Sequence, residues 1–235
     1  MNWPFGRSRS TRREKQAPLP AKEIPRDDER RGPAPPPPRT AHAPGVSVYR
    51  FDAIPSQFVL RSGEGPGGFF LDGEKRKGGA SALLVLFGGG AVPGDVLIWD
   101  AAPRLSQSSP GAPPPFTFEE LCRTSPQPPH HIKRDDLGGK AASGITGLRT
   151  LHAGSGLAVL RLGPPPGARW VFKGIHAVAV FSGRLAAYDG DDVKEIRAGS
   201  FAHVADPSAT LYLEAGNDAA LAVALAASGF VVALS

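Results

Sequence analysis

The chain has 235 residues, with 27 basic and 22 acidic side chains, 29 glycines, 25 prolines and one cysteine. A single cysteine excludes an intrachain disulfide, and no apolar run approaches the roughly 18 residues that cross a bilayer as a helix. Residues 1–43 hold ten basic and five acidic side chains, which accounts for the whole net charge of +5. The remainder is neutral, which excludes an electrostatic case for nucleic acid on the globular part.

Residues 1–44 are poor in apolar side chains and rich in proline and arginine. Such a segment cannot bury enough surface to offset its chain entropy, and it reads as a disordered tail. Pro35, Pro36, Pro37 and Pro38, flanked by Arg31 and Arg39, favour polyproline II. They suit a stiff spacer or the ligand of an SH3- or WW-type groove. The first residues show no apolar core of a secretory signal, and the single thiol fits a reducing compartment, so a cytoplasmic location is the expectation.

A folded domain is expected over residues 45–235. Val46 and Val48 alternate with Ser47 and Tyr49 in a strand that stops before Pro55. A glycine-rich loop carrying Lys75, Arg76 and Lys77 encloses a short strand at 69–71, and a further strand covers 82–87. No helix pattern follows Gly88-Gly89-Gly90, so these glycines are not a phosphate cradle. Pro93-Gly94-Asp95 turns into a strand at 96–99.

Residues 101–142 read as an irregular insertion with one helical turn at 117–122. His130 and His131 with Asp135 and Asp136 have no spacing that metal ligands use, and they read as solvated loop residues. Cys122 lacks a rigid partner histidine, and no G-x-S-x-G elbow occurs, so nucleophilic catalysis has no support.

From residue 148 onward strands recur at short intervals, covering 157–161, 170–172, 176–181, 185–188, 201–204, 210–214, 220–226 and 230–234. Pro166-Gly167, Ser182-Gly183, Asp189-Gly190, Ala198-Gly199 and Asp206-Pro207 separate them, and Asp189-Gly190 is the strongest hairpin signal. Short strands at this spacing make an all-β sandwich or barrel.

The frame Pro166-Gly167, Gly183 after VFS, the Asp189-Gly190 hairpin and Ala198-Gly199-Ser200 resembles the double-stranded β-helix of the cupin superfamily. The first half echoes the second. GGASALLVLFGGG is similar to KGIHAVAVFSGRL, and VPGDVLIWDA to RAGSFAHVAD. The resemblance therefore implies a jelly-roll barrel of two fused units, a bicupin. Phe51 to Pro55 (FDAIP) resembles the opening of the HutD/Ves branch, although the Trp and Asn of that branch's next box are absent from Leu60-Arg61-Ser62-Gly63-Glu64-Gly65.

The resemblance also locates a site. Counted from Gly183 and Gly199, the positions where cupins carry metal ligands hold Trp170, Phe172, His176 and Thr210. One imidazole cannot hold a divalent ion usefully, so no metal and no cofactor are expected. With Tyr212 these residues imply either a small-ligand pocket inside the barrel or a filled core. His203 reads as a satisfied or surface histidine and Arg184 as solvated.

The expectation is a cupin-like protein that binds a small polar metabolite in a sensor or accessory role. The HutD/Ves resemblance implies a link to histidine or amino-acid metabolism. Two alternatives stand beside it. One is a metal-independent isomerase or epimerase with His176 as base and Tyr212 or Glu214 as acid. The other is an interaction module acting through its tail. Expected partners are a small-molecule ligand, an SH3/WW-type partner for the tail and possible pairing as a homodimer, with no nucleic acid and no membrane.

Overall fold

The computed structural model describes residues 42–60, 65–71, 79–88, 90–100, 117–136, 140–141 and 145–234. Residues 1–41 of the expected tail, with the polyproline run, lie outside these residues. The strands are β1 (Val46–Arg50), β2 (Gly67–Leu71), β3 (Ser81–Phe87), β4 (Val96–Trp99), β5 (His130–Ile132), β6 (Lys140–Ala141), β7 (Leu148–Gly154) and β8 (Leu157–Leu162). They continue with β9 (Arg169–Ser182), β10 (Arg184–Asp189), β11 (Asp192–Arg197), β12 (Ser200–Val204), β13 (Leu211–Ala215) and β14 (Leu221–Leu234). Among the described residues one α-helix, α1 (Phe118–Thr124), joins them.

The two long strands organise the second half. The first part of β9 pairs with β13 and the second part with β12, while β14 follows β9 along both parts. A front sheet therefore runs β11–β10–β13–β9–β14, using the start of β9 and the end of β14. A back sheet runs β7–β8–β14–β9–β12–β1, using the opposite halves. The chain crosses repeatedly between the sheets, and that order is a jelly roll with β1, β6 and β7 added at the edges of the back sheet.

Gly174 is the corner where β9 leaves one sheet for the other. Its φ is +90°, and a Cβ there would lie 3.1 Å from the Cα of Phe230. The opposing strand β14 breaks register at the same level, between Ala226 and Val231. Sequence reading expected separate strands on either side of Gly174, and likewise at 220–226 and 230–234. The corner is absorbed by a glycine and a bulge, so each pair is a single bent strand.

The interior between the sheets is filled by alternate residues of both. Trp170, Phe172, Leu185, Ile196, Leu211 and Leu213 come from the front, and Leu160, Leu162, Val178, Val180, Ala202 and Ala224 from the back.

The first half adds a third layer, the antiparallel sheet β2–β3–β4–β5. Its face made of Ala82, Leu84, Val96, Ile98 and Ile132 packs on Ala177, Ala179, Phe201, Val223 and Leu225 of the back sheet. The other face packs Leu83, Val85, Leu97 and Trp99 on Leu121 of α1. Thr117 and Glu120 close a capping box at the start of α1, the reason a seven-residue helix holds there.

The internal echo is a structural one. Aligning the two segments puts Leu84 on Ala179 and Val96 on Phe201, and Leu84 pairs with Val96 as Ala179 pairs with Phe201. A third strand follows in both, β5 beside β4 and β1 beside β12. The two sheets pack through these equivalent faces. Among the described residues the first half supplies one sheet of a barrel, with α1 on its far face, and the expected second complete unit is not seen there. The insertion expected at 101–142 is ordered over residues 117–136, where α1 and β5 form. His130 and His131, expected in a solvated loop, are strand residues of β5.

Candidate functional site

The five residues expected to line a pocket do not converge. Trp170 and Phe172 face the interior at 1% and 0% exposure, with rings edge to face at 5.9 Å. They are packed as core, and the buried Nε1 of Trp170 has no hydrogen-bond acceptor around it. His176 is the extra residue of a bulge. Ala177 pairs with Leu225 and Ile175 with Ala226, which leaves His176 without an opposite number. Thr210 is half-buried just before β13. Tyr212 alternates with buried Leu211 and Leu213 and pairs with Tyr188 and Val171, so it lies on the outer face of the front sheet.

His203, opposite Ala177, is enclosed by aromatic rings, with Phe58 at 4.7 Å and Phe69 at 5.9 Å. Burial pushes its imidazole pKa down. Burial, then repulsion from His203, does the same to His176. Burial, then His130, lowers His152. Each is neutral in the folded protein at a pH where the unfolded chain would begin to bind a proton. This stabilising contribution is complete above the ordinary value near 6.5 and is lost as pH falls below it. The urea midpoint is therefore expected to drop between pH 7 and pH 5.5, and His203→Phe is expected to flatten that drop. An unchanged slope in the variant would show that His203 is not one of the groups responsible.

The polar groups that do converge lie on the outer face of the front sheet. Three donors meet one oxygen, Oε2 of Glu214: Nε of Arg169 at 3.0 Å, Nη2 of Arg169 at 2.5 Å and the Tyr188 hydroxyl at 2.6 Å. The Arg169 guanidinium also lies over the Tyr188 ring, 5.5 Å from its centroid. Burial works to raise the Glu214 pKa, but Tyr188 and Arg169 outweigh it and hold the carboxyl below its ordinary value. Oε1 takes none of these three bonds.

Beside this cluster the ends of β10, β11 and β13 enclose an open cleft of about 330 Å³, lined by Arg184, Ala186, Val193, Glu195, Glu214 and Gly216 among others. Gly216 gives Arg184 its place. A Cβ on Gly216 would stand 2.6 Å from Nε and 2.7 Å from Cγ of the arginine. Arg197 holds Glu195 at 2.7 Å, and Arg184 reaches the other oxygen of Glu195 at 3.7 Å. Arg197, then Arg184, keeps the Glu195 carboxyl ionised to below its usual pKa.

The cleft thus presents one guanidinium, two ionised carboxylates and an apolar wall of Ala186 and Val193. Among the described residues its lining holds no hydroxyl, thiol or imidazole. Carboxylates with depressed pKa values are weak bases near neutrality, so the arrangement suits binding rather than proton transfer. Sequence reasoning placed Glu214 only as an acid partner for His176, and Arg184 and Glu195 look like ordinary solvated positions of alternating strands. The available signal was the hairpin at Asp189-Gly190, which brings the polar residues of RLAAYD and DVKEIR side by side; LYLEA joins them through a long-range pairing of β13 with β10.

No protein-family model matches the chain, and no curated protein does. Solved structures do. An ectoine synthase from P. lautus is 16% identical and is matched over 43% of this chain and 85% of its own, with a TM-score of 0.35. An uncharacterized protein with a double-stranded β-helix domain from Klebsiella pneumoniae is 19% identical over 44% and 95%, also at 0.35. The coconut allergen cocosin is 15% identical over 46% and 33%, again at 0.35. The chain spans about a third of cocosin. The strand order above carries the fold assignment: this is an all-β, cupin-like protein. No helix among the described residues is long and apolar enough to cross a membrane.

Proposed function

We propose that the chain binds a small polar metabolite in the outer cleft of its front sheet, in a sensor or accessory role and without chemistry of its own. The observation that carries this is the juxtaposition of Arg184 with Glu195 and Glu214 around a concavity. An arginine fork recognises a carboxylate and the two glutamates recognise an ammonium, so the ligand is a zwitterion of amino-acid size. A volume near the low end of ligand pockets and an open mouth set the affinity in the modest range. The HutD/Ves resemblance supports the same class of ligand, and a single thiol fits a cytoplasmic setting. The isomerase alternative gains nothing, since Tyr212 and Glu214 stand on the outer face of the front sheet, while the titratable neighbour of His176 is His203. The tail-docking alternative concerns residues outside the described ones.

The test is a thermal-shift and calorimetric screen of amino acids, dicarboxylates and sugars on the full chain, the Arg184→Gln variant and the Gly216→Ala variant. Amino acids are expected to stabilise the wild type. Gly216→Ala displaces Arg184 by its Cβ and is expected to weaken binding about tenfold, the loss of a charge-assisted contact, with little change in melting temperature. Binding that is indifferent to both substitutions would overturn the proposal.

A further inference from the structure

Register turns the outer face of the front sheet into a grid. On β10, Arg184, Ala186 and Tyr188 alternate with buried Leu185 and Ala187, so they share that face. On β11 they stand opposite Arg197, Glu195 and Val193. On β13, Ala186 stands opposite Glu214 and Tyr188 opposite Tyr212, while the amide of Gly216 donates to the carbonyl of Arg184 at 3.3 Å. Three ranks result. The first carries Arg184 and Arg197. The second sets the small Ala186 between two carboxylates. The third carries Val193 and Tyr188.

Val193 is the odd member of its strand. The other outward side chains of DVKEIR are Glu195 and Arg197, and both are charged. Val193 is 58% exposed and lines the cleft. Tyr188 opposite it is already engaged, since its hydroxyl donates to Glu214 and the Arg169 guanidinium covers its ring. The third rank therefore offers the cleft the methyl groups of Val193. An apolar surface at one end of a polar cleft gains free energy when an apolar ligand group covers it.

We infer that Val193 selects the side chain of the ligand, and that the ligand is an amino acid with an apolar side chain of leucine's size. The inference rests on the zwitterion reading of the cleft. With the carboxylate on Arg184 and the ammonium between Glu195 and Glu214, the ligand occupies the first two ranks, and its side chain has the third to cover. Successive ranks on one face lie about 7 Å apart. Each carbon of an extended side chain advances about 1.3 Å, and apolar contact is made at about 4 Å. Glycine stops at the second rank, and the methyl of alanine falls short of the third. The branched end of leucine reaches Val193. A carboxylate or ammonium at that place would lose part of its hydration against methyl groups.

The test is calorimetric titration of glycine, leucine and glutamate into the full chain and into the Val193→Ser and Val193→Ile variants. The position is exposed, so both variants are expected to melt with the wild type. Leucine is expected to bind the wild type about tenfold more tightly than glycine or glutamate. Val193→Ser is expected to bring leucine within about twofold of glycine and to leave glycine unchanged, whereas Val193→Ile keeps the advantage of leucine. Equal binding of glycine and leucine by the wild type, or a leucine preference that survives in Val193→Ser, would overturn the inference and leave the ligand reading standing. Failure of all three amino acids to bind would overturn both.

Discussion

Phe172→Ala is expected to lower the unfolding free energy by about 3–5 kcal/mol, the cost of removing a fully packed aromatic ring and leaving a cavity. The residue is completely buried between the two sheets, with Trp170 edge to face against it and Leu211 opposite on β13. This outcome separates the two readings the sequence left open. A ring that lined an empty ligand pocket would lose few contacts on truncation, and alanine there would cost well under 1 kcal/mol in a urea titration. A ring in a filled core costs several. The structure places it in the core.

Glu214→Ala is expected to cost about 2–3 kcal/mol, because it removes the carboxylate that takes two bonds from a guanidinium largely out of water and a third from a tyrosine. The side chain of Arg169 is 10% exposed and that of Glu214 is 28% exposed, so solvent screens the pair only in part. Tyr188 loses its acceptor at the same time. The size of the effect lies in the bonds that Arg169 and Tyr188 lose together. The double variant Glu214→Ala with Arg169→Met should therefore recover much of the lost stability. A double variant as unstable as the sum of the two single ones would show that Arg169 and Glu214 act independently.

What could be read from the sequence was what punctuation and alternation control. Asp189-Gly190 closes the β10–β11 hairpin, Gly183 and Gly199 take positive φ at turns, and LYLEA alternates with Leu211, Leu213 and Ala215 inward. Even the internal echo held at the level of register, because equivalent turns fix equivalent pairings. What could not be read depends on partners distant in sequence. Gly174 is a corner only because β14 bulges beside it, so two expected strands proved to be one. The three residues of β5 are too few to show a period, and prolines precede them; they form a strand because β4 offers an edge. The bulge at His176 likewise defeats counting along a motif, since one extra residue re-aims the side chain.

The candidate site was hidden for a related reason. Counting from Gly183 and Gly199 leads to interior positions, and in this chain those positions carry Trp170 and Phe172, which fill space. The charged groups meet only where β10, β11 and β13 lie side by side, with Arg184 seated over the bare backbone of Gly216. The fold class was therefore legible and the site was not. One follows from local turns, the other from three strands meeting.

Calorimetric titration of the amino acid that stabilises the full chain most, repeated on Arg184→Gln and on the mild core variant Phe172→Leu, tests the account most directly. Binding is expected to disappear in Arg184→Gln and to persist in Phe172→Leu. Binding that persists in Arg184→Gln and disappears in Phe172→Leu would contradict it and put the ligand inside the barrel.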